Sequence, residues 1–447
     1  MKQKTHQSEY LSIDVNESLF DGALMFAKNI FGLQKSITGK GINKAFDVLT
    51  KDIECNIFDF PSKSKILDWQ VPLDWECDDA SVTDVQSKKN ILNFDHPLRI
   101  ASHSCAVDKI ISGKELKKKM RISLDFPEAL THNYLYYKED WLISVTKSEF
   151  ELIEDDKMYQ VLINSKKTQG SLRVAEATIS GISNKTIFFL SHMCHPAQFN
   201  DGLVGVMLNY YLYKYLKLHS IKPYYTYKFL FMPETIGSIA YCSDKNRLKN
   251  AEFAIFTEMT AIKQKLHIQQ SLNIEDRVNQ IISHALNHMQ LSAKFSPFLK
   301  VIRNDEKVFN SPGIDIPAAS ITRALGPGKP GHPFPGYHTN LDTIENADLN
   351  QLKEVLSLYK VIINVNENDF IVKRKFKGIP MLSKHNLFID PAIDRNMYNK
   401  LEQMVWQIKS KVRITEIAQN LDLDFFKTLS VLKSWNQAGL IDLSHEK

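Results

Sequence analysis

Cysteine is scarce and unpatterned in this 447-residue chain: Cys55, Cys77, Cys105, Cys194 and Cys242 make five, an odd number without a close C-x-x-C pair. Such spacing argues against a disulfide framework or a structural zinc ribbon, and reduced thiols in a cytoplasm are the expectation. Long apolar runs are also missing. No stretch approaches the ~18–20 apolar residues that span a bilayer. The start, MKQKTHQSEYLSIDVNESLFDGALMFAKNIFG, is polar and then amphipathic, without an apolar h-region and cleavage site. Neither secretion nor a membrane role is expected. Charge of one sign is equally lacking, because 56 Lys and Arg face 51 Asp and Glu. The chain as a whole has no basic excess of the kind a dedicated nucleic-acid binder carries.

What is present is ordinary core material. Hydrophobic residues make up 43%, aromatics 10% and charged residues 24%, near the average for soluble globular proteins, so a sizeable core is expected. At ~100–200 residues per domain the length allows two to four domains. From Leu19 to Glu54, Leu24, Phe26, Ala27 and Ile30, then Ile42, Ala45, Phe46 and Leu49, recur at helical spacing and predict two helices broken at SITGKG. TGKG is a poor phosphate loop: no Gly lies five residues before Gly39, no Ser or Thr follows Lys40, and no apolar strand precedes it. It reads as a helix-linking turn. Residues 63–167 hold short apolar runs between polar turns, the pattern of a β-rich insertion. The basic stretch GKELKKKMR within it reads as a solvated helix face.

On either side of this insertion, residues 1–62 and 168–371 are read as one α/β domain. From Ser171, strands such as TIFFLSHM, YTYKFLFM and AEFAIF alternate with amphipathic helices, which predicts a mostly parallel sheet flanked by helices. Residues 372–447 end in ITEIAQ, the turn NLDLD, the longer helix DFFKTLSVLKSWNQ and Gly439, a winged-helix rhythm. The second helix carries only Lys427 and Lys433 against Asp424, too little charge for groove binding. A contact or dimerisation module is expected in place of a DNA reader.

Ligands of open α/β sheets collect at the carboxyl ends of strands, and the titratable residues cluster there. His192, His195 and Asp201 follow TIFFL, Glu234 follows YKFLFM, Glu258 follows AEFAIF, and His338 lies in the later loop FPGYHTNLDT. His and carboxylate are metal-ligand types. Glu234 has three readings: ligand, general base on metal-bound water, or an acid at a helix N-terminus.

The order of these pieces resembles the co-catalytic zinc aminopeptidases and the related glutaminyl cyclases: a His, a short loop to Asn-Asp-Gly, Glu-x-Ile-Gly-Ser after an apolar strand, NDEKVF, then YHTNLDT. More closely it resembles an aminopeptidase-like family with an inserted β domain and a C-terminal winged helix, whose members are associated with surface polysaccharide biosynthesis. The resemblance implies one or two zinc ions, with Asp201 as the bridging ligand and His338 as the late one. The early ligand stays open between His192 and His195, with Cys194 where the family has an acid. Asp305 matches an acid that holds a hydrogen-bond network, and Glu306 stands in for its histidine. One departure matters: the family's Glu-Glu pair is here Glu234-Thr235, so either the base or one ligand is missing unless Glu258 or Glu306 compensates.

The resemblance further implies a hydrolase acting on an amide bond of a small peptide or N-acylated small molecule. Glu234 would move the proton, Tyr337 or Arg323 would steady an oxyanion or a carboxylate, and Glu306 would face the substrate. A silent scaffold acting through the winged helix and a single-zinc cyclase are the rival readings. Self-association through the winged helix or the insertion is a further expectation.

Overall fold

Strands that are apolar along their whole length need cover on both faces. In the computed structural model, which describes residues 11–329, 331–409 and 411–445, such strands form the middle of an eight-stranded mixed sheet. The polar start at residues 1–10 lies outside the described residues. In chain order the strands are β1 (Asn56–Pro61), β2 (Ser171–Ile179), β3 (Thr186–His192), β4 (Thr226–Met232), β5 (Ala251–Thr257), β6 (Leu266–Gln269), β7 (Ala293–Ser296) and β8 (Ala318–Thr322). They lie in the order β1-β2-β4-β3-β5-β8-β6-β7. β3 runs parallel to β4 and β5, and β5 to β8, while β1, β2 and β6 pair antiparallel. All seven residues of β3 are buried.

The helices used below are α1 (Glu17–Phe31), α2 (Lys40–Asp52), α3 (Val204–Leu218), α4 (Ile236–Cys242), α5 (Arg277–Met289), α6 (Asp305–Phe309), α7 (Leu349–Asn368), α8 (Arg395–Gln407), α9 (Ile414–Asn420) and α10 (Phe425–Gln437). α1 starts where Asn16 Oδ1 accepts the Leu19 N–H at 3.1 Å, and it buries Phe20, Ala23, Ala27 and Ile30 along one stripe. SITGKG forms the turn into α2. Gly39 has φ +115°, and a Cβ there would lie 2.0 Å from the Trp75 carbonyl oxygen, so only glycine permits this close approach to the inserted segment.

The inserted segment has its own antiparallel sheet, with strands 90–93, 74–84, 158–168 and 107–112 in that order. Trp75, Val82, Leu92, Ile100, Leu116, Val145 and Val161 belong to its core. In the basic stretch, Lys117 pairs with Asp155 at 2.7 Å and Lys119 with Asp140 at 2.6 Å. These lysines are matched locally by acids.

By packing, the described residues divide into two compact units: 16–274 with 294–354, and 11–15 with 275–293 and 355–445. The second unit contains a three-stranded antiparallel sheet of β9 (Ile371–Arg374), β10 (Lys411–Arg413) and β11 (Ile441–Ser444), with β9 in the centre. Alternation of strand and helix places α5 and α7 with the α/β domain. Packing instead groups α5 and residues 355–368 of α7 with the C-terminal segment, and a buried charge joins them. Asp369, fully buried, takes the Thr415 N–H and hydroxyl on one oxygen, each at 3.0 Å. Its other oxygen faces Arg277 at 3.1 Å and Arg413 at 3.3 Å. His284 Nε2 adds a contact to the Thr415 carbonyl at 2.9 Å. None of these long-range pairings leaves a periodic signal in sequence. Asp369→Ala strands two arginines and a buried N–H, and is expected to cost about 3–5 kcal/mol, measured as a fall in the urea-unfolding free energy of the full chain.

Candidate metal and catalytic site

Parallel register delivers the first groups. Leu190 of β3 is level with Leu230 of β4 and Phe256 of β5, so His192, Met232 and Glu258 arrive together at one edge. His192 Nε2 accordingly lies 2.9 Å from Glu258 Oε2, with both side chains fully buried. Asn304 donates to the other Glu258 oxygen.

Asp201 comes from the Asn-Asp-Gly loop that precedes α3, where the backbone leaves helical geometry: Asp201 has ψ 83° and Gly202 has φ 101°. A Cβ on Gly202 would sit 2.8 Å from the His192 ring, so the glycine is what lets the loop close on that histidine. Asp342, in YHTNLDT, pins the loop by accepting the main-chain N–H groups of Asn200 and Asp201, both at 2.9 Å. Asn200 in turn accepts the Ala261 N–H at 3.0 Å. Asp201 is thereby held between the end of β5 and the 338–342 loop, and its Oδ2 comes within 2.9 Å of His338 Nε2. Both atoms are buried without a hydrogen-bond partner, the state of two ligand atoms facing a common point.

Glu234 and Thr235 form the turn from β4 into α4. Asp305, at the start of α6, accepts the Thr235 N–H at 2.8 Å and the Ser238 hydroxyl, so its carboxylate fixes this turn from behind. Glu234 Oε2 stands 3.6 Å from His195 Nε2, and its side chain retains 29% exposure. It lines a crevice of about 310 Å³ together with Cys194, His195, Thr235, Tyr337 and His338 on one side, and Trp69, Tyr134, Tyr136 and Tyr137 of the insertion on the other. A second cavity of about 370 Å³, lined by Glu258, Arg303, Asn304 and His332, meets the other flank of Tyr337.

His132 of the insertion also reaches the site, and sequence reasoning missed it. Its main-chain N–H donates to the His338 carbonyl at 2.7 Å. Leu130 and Asn340 add two more hydrogen bonds between the same loops, and Thr131 and Thr339 form a β-bridge. Its ring lies 4.8 Å from that of His195 and 5.1 Å from that of His338, centre to centre. Both ring nitrogens are buried without partners.

Three groups of potential ligands converge among the described residues: His192 with Asp201 and Glu258; His132 with His195 and His338; and His192 with Cys194 and His195. Neutral imidazole and carboxylate are the forms that ligate a cation. Burial drives His195 down to about 3 and His132 well below the usual range, so both rings are neutral. Burial works to raise Asp201, but the polar ring nitrogens of the surrounding histidines, with His338 Nε2 2.9 Å away, outweigh it and hold the carboxyl ionised. Burial pushes Glu258 up to about 8 against the pull of the His192 hydrogen bond, and lifts Tyr337 well above 10, keeping the phenol a donor. The orphaned nitrogens of His132, His192 and His338 and the orphaned oxygen of Asp201 fit a bound cation, which would displace the proton that Glu258 and His192, raised against its burial well above its usual range by its contacts with Cys194 and Glu258, hold between them.

Two sequence candidates do not join this group. Glu306 is read from sequence as facing substrate, but its carboxylate accepts from Gln269 at 3.0 Å and from the Asn304 main chain. Arg323 is bound to Glu354 and to the Gln264 carbonyl. Neither lines the two cavities beside Tyr337; their own pairings hold them in the frame.

A mixed sheet with His and carboxylate side chains gathered at the carboxyl ends of its parallel strands is the aminopeptidase-like α/β architecture. The chain belongs to the DUF4910 family, a domain of unknown function, which matches residues 24–369. It is 31% identical over 367 residues, 81% of each chain, to a Clostridium acetobutylicum protein provisionally described as a polysaccharide biosynthesis protein with an aminopeptidase-like domain. A C. acetobutylicum crystal structure, provisionally described as a peptidase, aligns with a TM-score of 0.83 at 27% identity, covering 95% of this chain and 97% of the other. The zinc aminopeptidase of Bacillus subtilis shares the fold with a TM-score of 0.58 at 13% identity, covering 78% and 94%.

Lys35, between α1 and α2, is fully buried. Its Nζ donates to the Ile30 carbonyl at 2.8 Å and the Phe31 carbonyl at 3.2 Å, closing the end of α1. Burial lowers its pKa from 10.5 to about 7, with nearby Cys194 pulling weakly the other way. Below about 7 both folded and unfolded chains carry this proton and the burial penalty is fully felt. Between about 7 and 10.5 the unfolded chain keeps a proton that the folded chain has released, so this group makes stability rise with pH across that window. Lys35→Met is expected to remove the rise, read as a wild-type-minus-variant difference in unfolding free energy that grows from about pH 6 to about pH 10.

Proposed function

We propose that the protein is a zinc-dependent hydrolase of an amide bond in a small peptide or an N-acylated small molecule. The observation that carries this reading is the convergence of His192, Asp201 and Glu258 at the strand ends, with Glu234 beside them but outside every convergent ligand group among the described residues. That placement favours Glu234 as the base over Glu234 as a ligand. His192, Asp201 and Glu258 would hold the zinc. A zinc ion bound there supplies Lewis acidity to the substrate carbonyl and to a water.

Glu234, facing the crevice, would take the proton from the attacking water and return it to the leaving amine. Burial raises its proton affinity, with His192 opposing, which suits a group that must hold the proton between the two transfers. Tyr337 donates its phenolic proton toward the developing oxyanion. Asp305 acts through the Thr235 turn, keeping the Glu234 backbone in place. The aromatic wall of Trp69, Tyr134, Tyr136 and Tyr137 offers apolar faces to a ring and limits water at the site. The Clostridium relative is described in terms of polysaccharide biosynthesis, and among the substrates proposed here an N-acylated sugar is the one that accords with that setting.

Purified protein is expected to contain zinc and to cleave aminoacyl amides or N-acylated sugars. Glu234→Gln should lower turnover about 10²–10⁴-fold while zinc content stays at the wild-type level, and chelation should abolish turnover. Protein that contains no zinc, or a Glu234→Gln variant as active as wild type, sinks the reading. Zinc-loaded protein inert on every amide tested would instead favour a scaffold.

We further propose that residues 372–447 are a winged helix used for protein contact, self-association included. Support comes from α9, α10 and the three-stranded sheet. The Asp424 cap of α10 faces His288 at 3.0 Å, and the exposed surface of α10 includes Lys427 with Ser430 and Asn436. Duplex DNA titrated at rising salt should show no steeply salt-dependent binding, whereas a groove reader would lose affinity steeply.

A further inference from the structure

Around the proposed zinc site the chain has a deficit and a surplus. The deficit is Thr235, where the resemblance predicts a second glutamate to ligate a second cation with Asp201 and His338. The surplus is a set of histidine nitrogens that the His192–Asp201–Glu258 group does not use. His132, His195 and His338 place their ligand atoms within 4.8 Å of one another. His132 is only 8% exposed, and neither of its nitrogens has a partner. A buried imidazole normally satisfies at least one nitrogen, and here the unsatisfied ring is aimed at two other histidines. His195 Nε2 and His338 Nε2 both face Asp201 Oδ2, at 3.8 Å and 2.9 Å.

We propose that the inserted segment completes a second cation site, in which His132, His195 and His338 gather beside Asp201 and stand in for the glutamate replaced by Thr235. The inference rests on the metal-dependent reading above. It assigns His195 and His192 to different cations, so both early histidines are ligands. It also makes the insertion part of the centre: a cation held there ties the 130–132 loop to the 338–340 loop, which the hydrogen bond from His132 N–H to His338 O already joins. Three imidazole nitrogens with one carboxylate suit zinc or cobalt(II).

The test is a titration of metal-free, full-length protein with zinc and with cobalt(II), counting bound cations by elemental analysis and following the cobalt absorption. Hydrogen exchange of the 130–132 and 338–340 amides is measured with and without zinc. Wild type is expected to bind two cations per chain, and zinc should slow exchange in both loops. His132→Phe keeps a ring packed against His195 and His338, and should bind one cation and lose the zinc-dependent protection. His132→Ala, checked for native circular dichroism, should behave the same way. His192→Ala should also bind one cation but keep the protection. If His132→Phe binds two cations, or if wild type binds one that depends on His192 and not on His132, the inference is overturned while the zinc reading stands. If wild type binds none, the zinc reading falls and takes the inference with it. A sulfur-to-cobalt absorption band that vanishes in Cys194→Ser would put the second cation on His192, Cys194 and His195, and would equally overturn the proposal.

Discussion

The carboxylate of Asp342 is the contact on which the site depends. Strand register alone brings His192 and Glu258 to the sheet edge, but Asp201 sits in a loop with no strand to hold it. By accepting the N–H groups of Asn200 and Asp201, Asp342 fixes that loop and ties it to the segment that presents His338. Hydrogen bonds to an ionised carboxylate are roughly twice as strong as neutral ones, and since burial pushes Asp342 up to about 7 this strength is reached as the pH rises past that value. Here they are fully enclosed. One side chain thus sets the spacing between groups on three separated parts of the chain.

The site is also held under backbone strain. Ala197, Thr235, Met259 and His338 all have positive φ, at 46°, 60°, 52° and 56°, and none is glycine. Such conformations cost of order 1–3 kcal/mol each and persist where surrounding contacts over-determine them. Here the contacts are identifiable: Asp305 on the Thr235 N–H, Asn200 O on the Met259 N–H, and the His132 N–H on the His338 carbonyl. The strained positions coincide with the turns that bring these histidines and carboxylates together.

What could be read in the sequence follows from where the information is local. His192, Glu234 and Glu258 were legible because each ends or follows an apolar strand, and a parallel sheet carries strand ends to one edge. Asp201 and His338 were legible through short motifs whose order is distinctive. His132 was not. It stands in THNYLYY, inside the insertion, and meets His338 only through a bridge between segments some 200 residues apart in sequence. The aromatic run beside it was the one available signal, since a Tyr-rich stretch in a β-rich segment is a candidate wall for a crevice. Glu306 and Arg323 show the reverse case. Their residue types suited a substrate, but Gln269 and Glu354 claim them, and no local pattern announces such partners. Asp369, likewise, gathers Arg277, Arg413 and Thr415 from distant segments.

The way the insertion is seated bears on how this lineage could change. Its Trp75 carbonyl fills the space that Gly39 leaves, its Leu130 and His132 complete the hydrogen bonding of the 338–340 loop, and its tyrosines form one wall of the crevice. Excising it, or exchanging it for another domain, would unmake the pocket along with the accessory. Insertion and peptidase-like sheet consequently stand or fall as one structural unit, and the shape of the crevice is open to change by point substitutions in its aromatic wall.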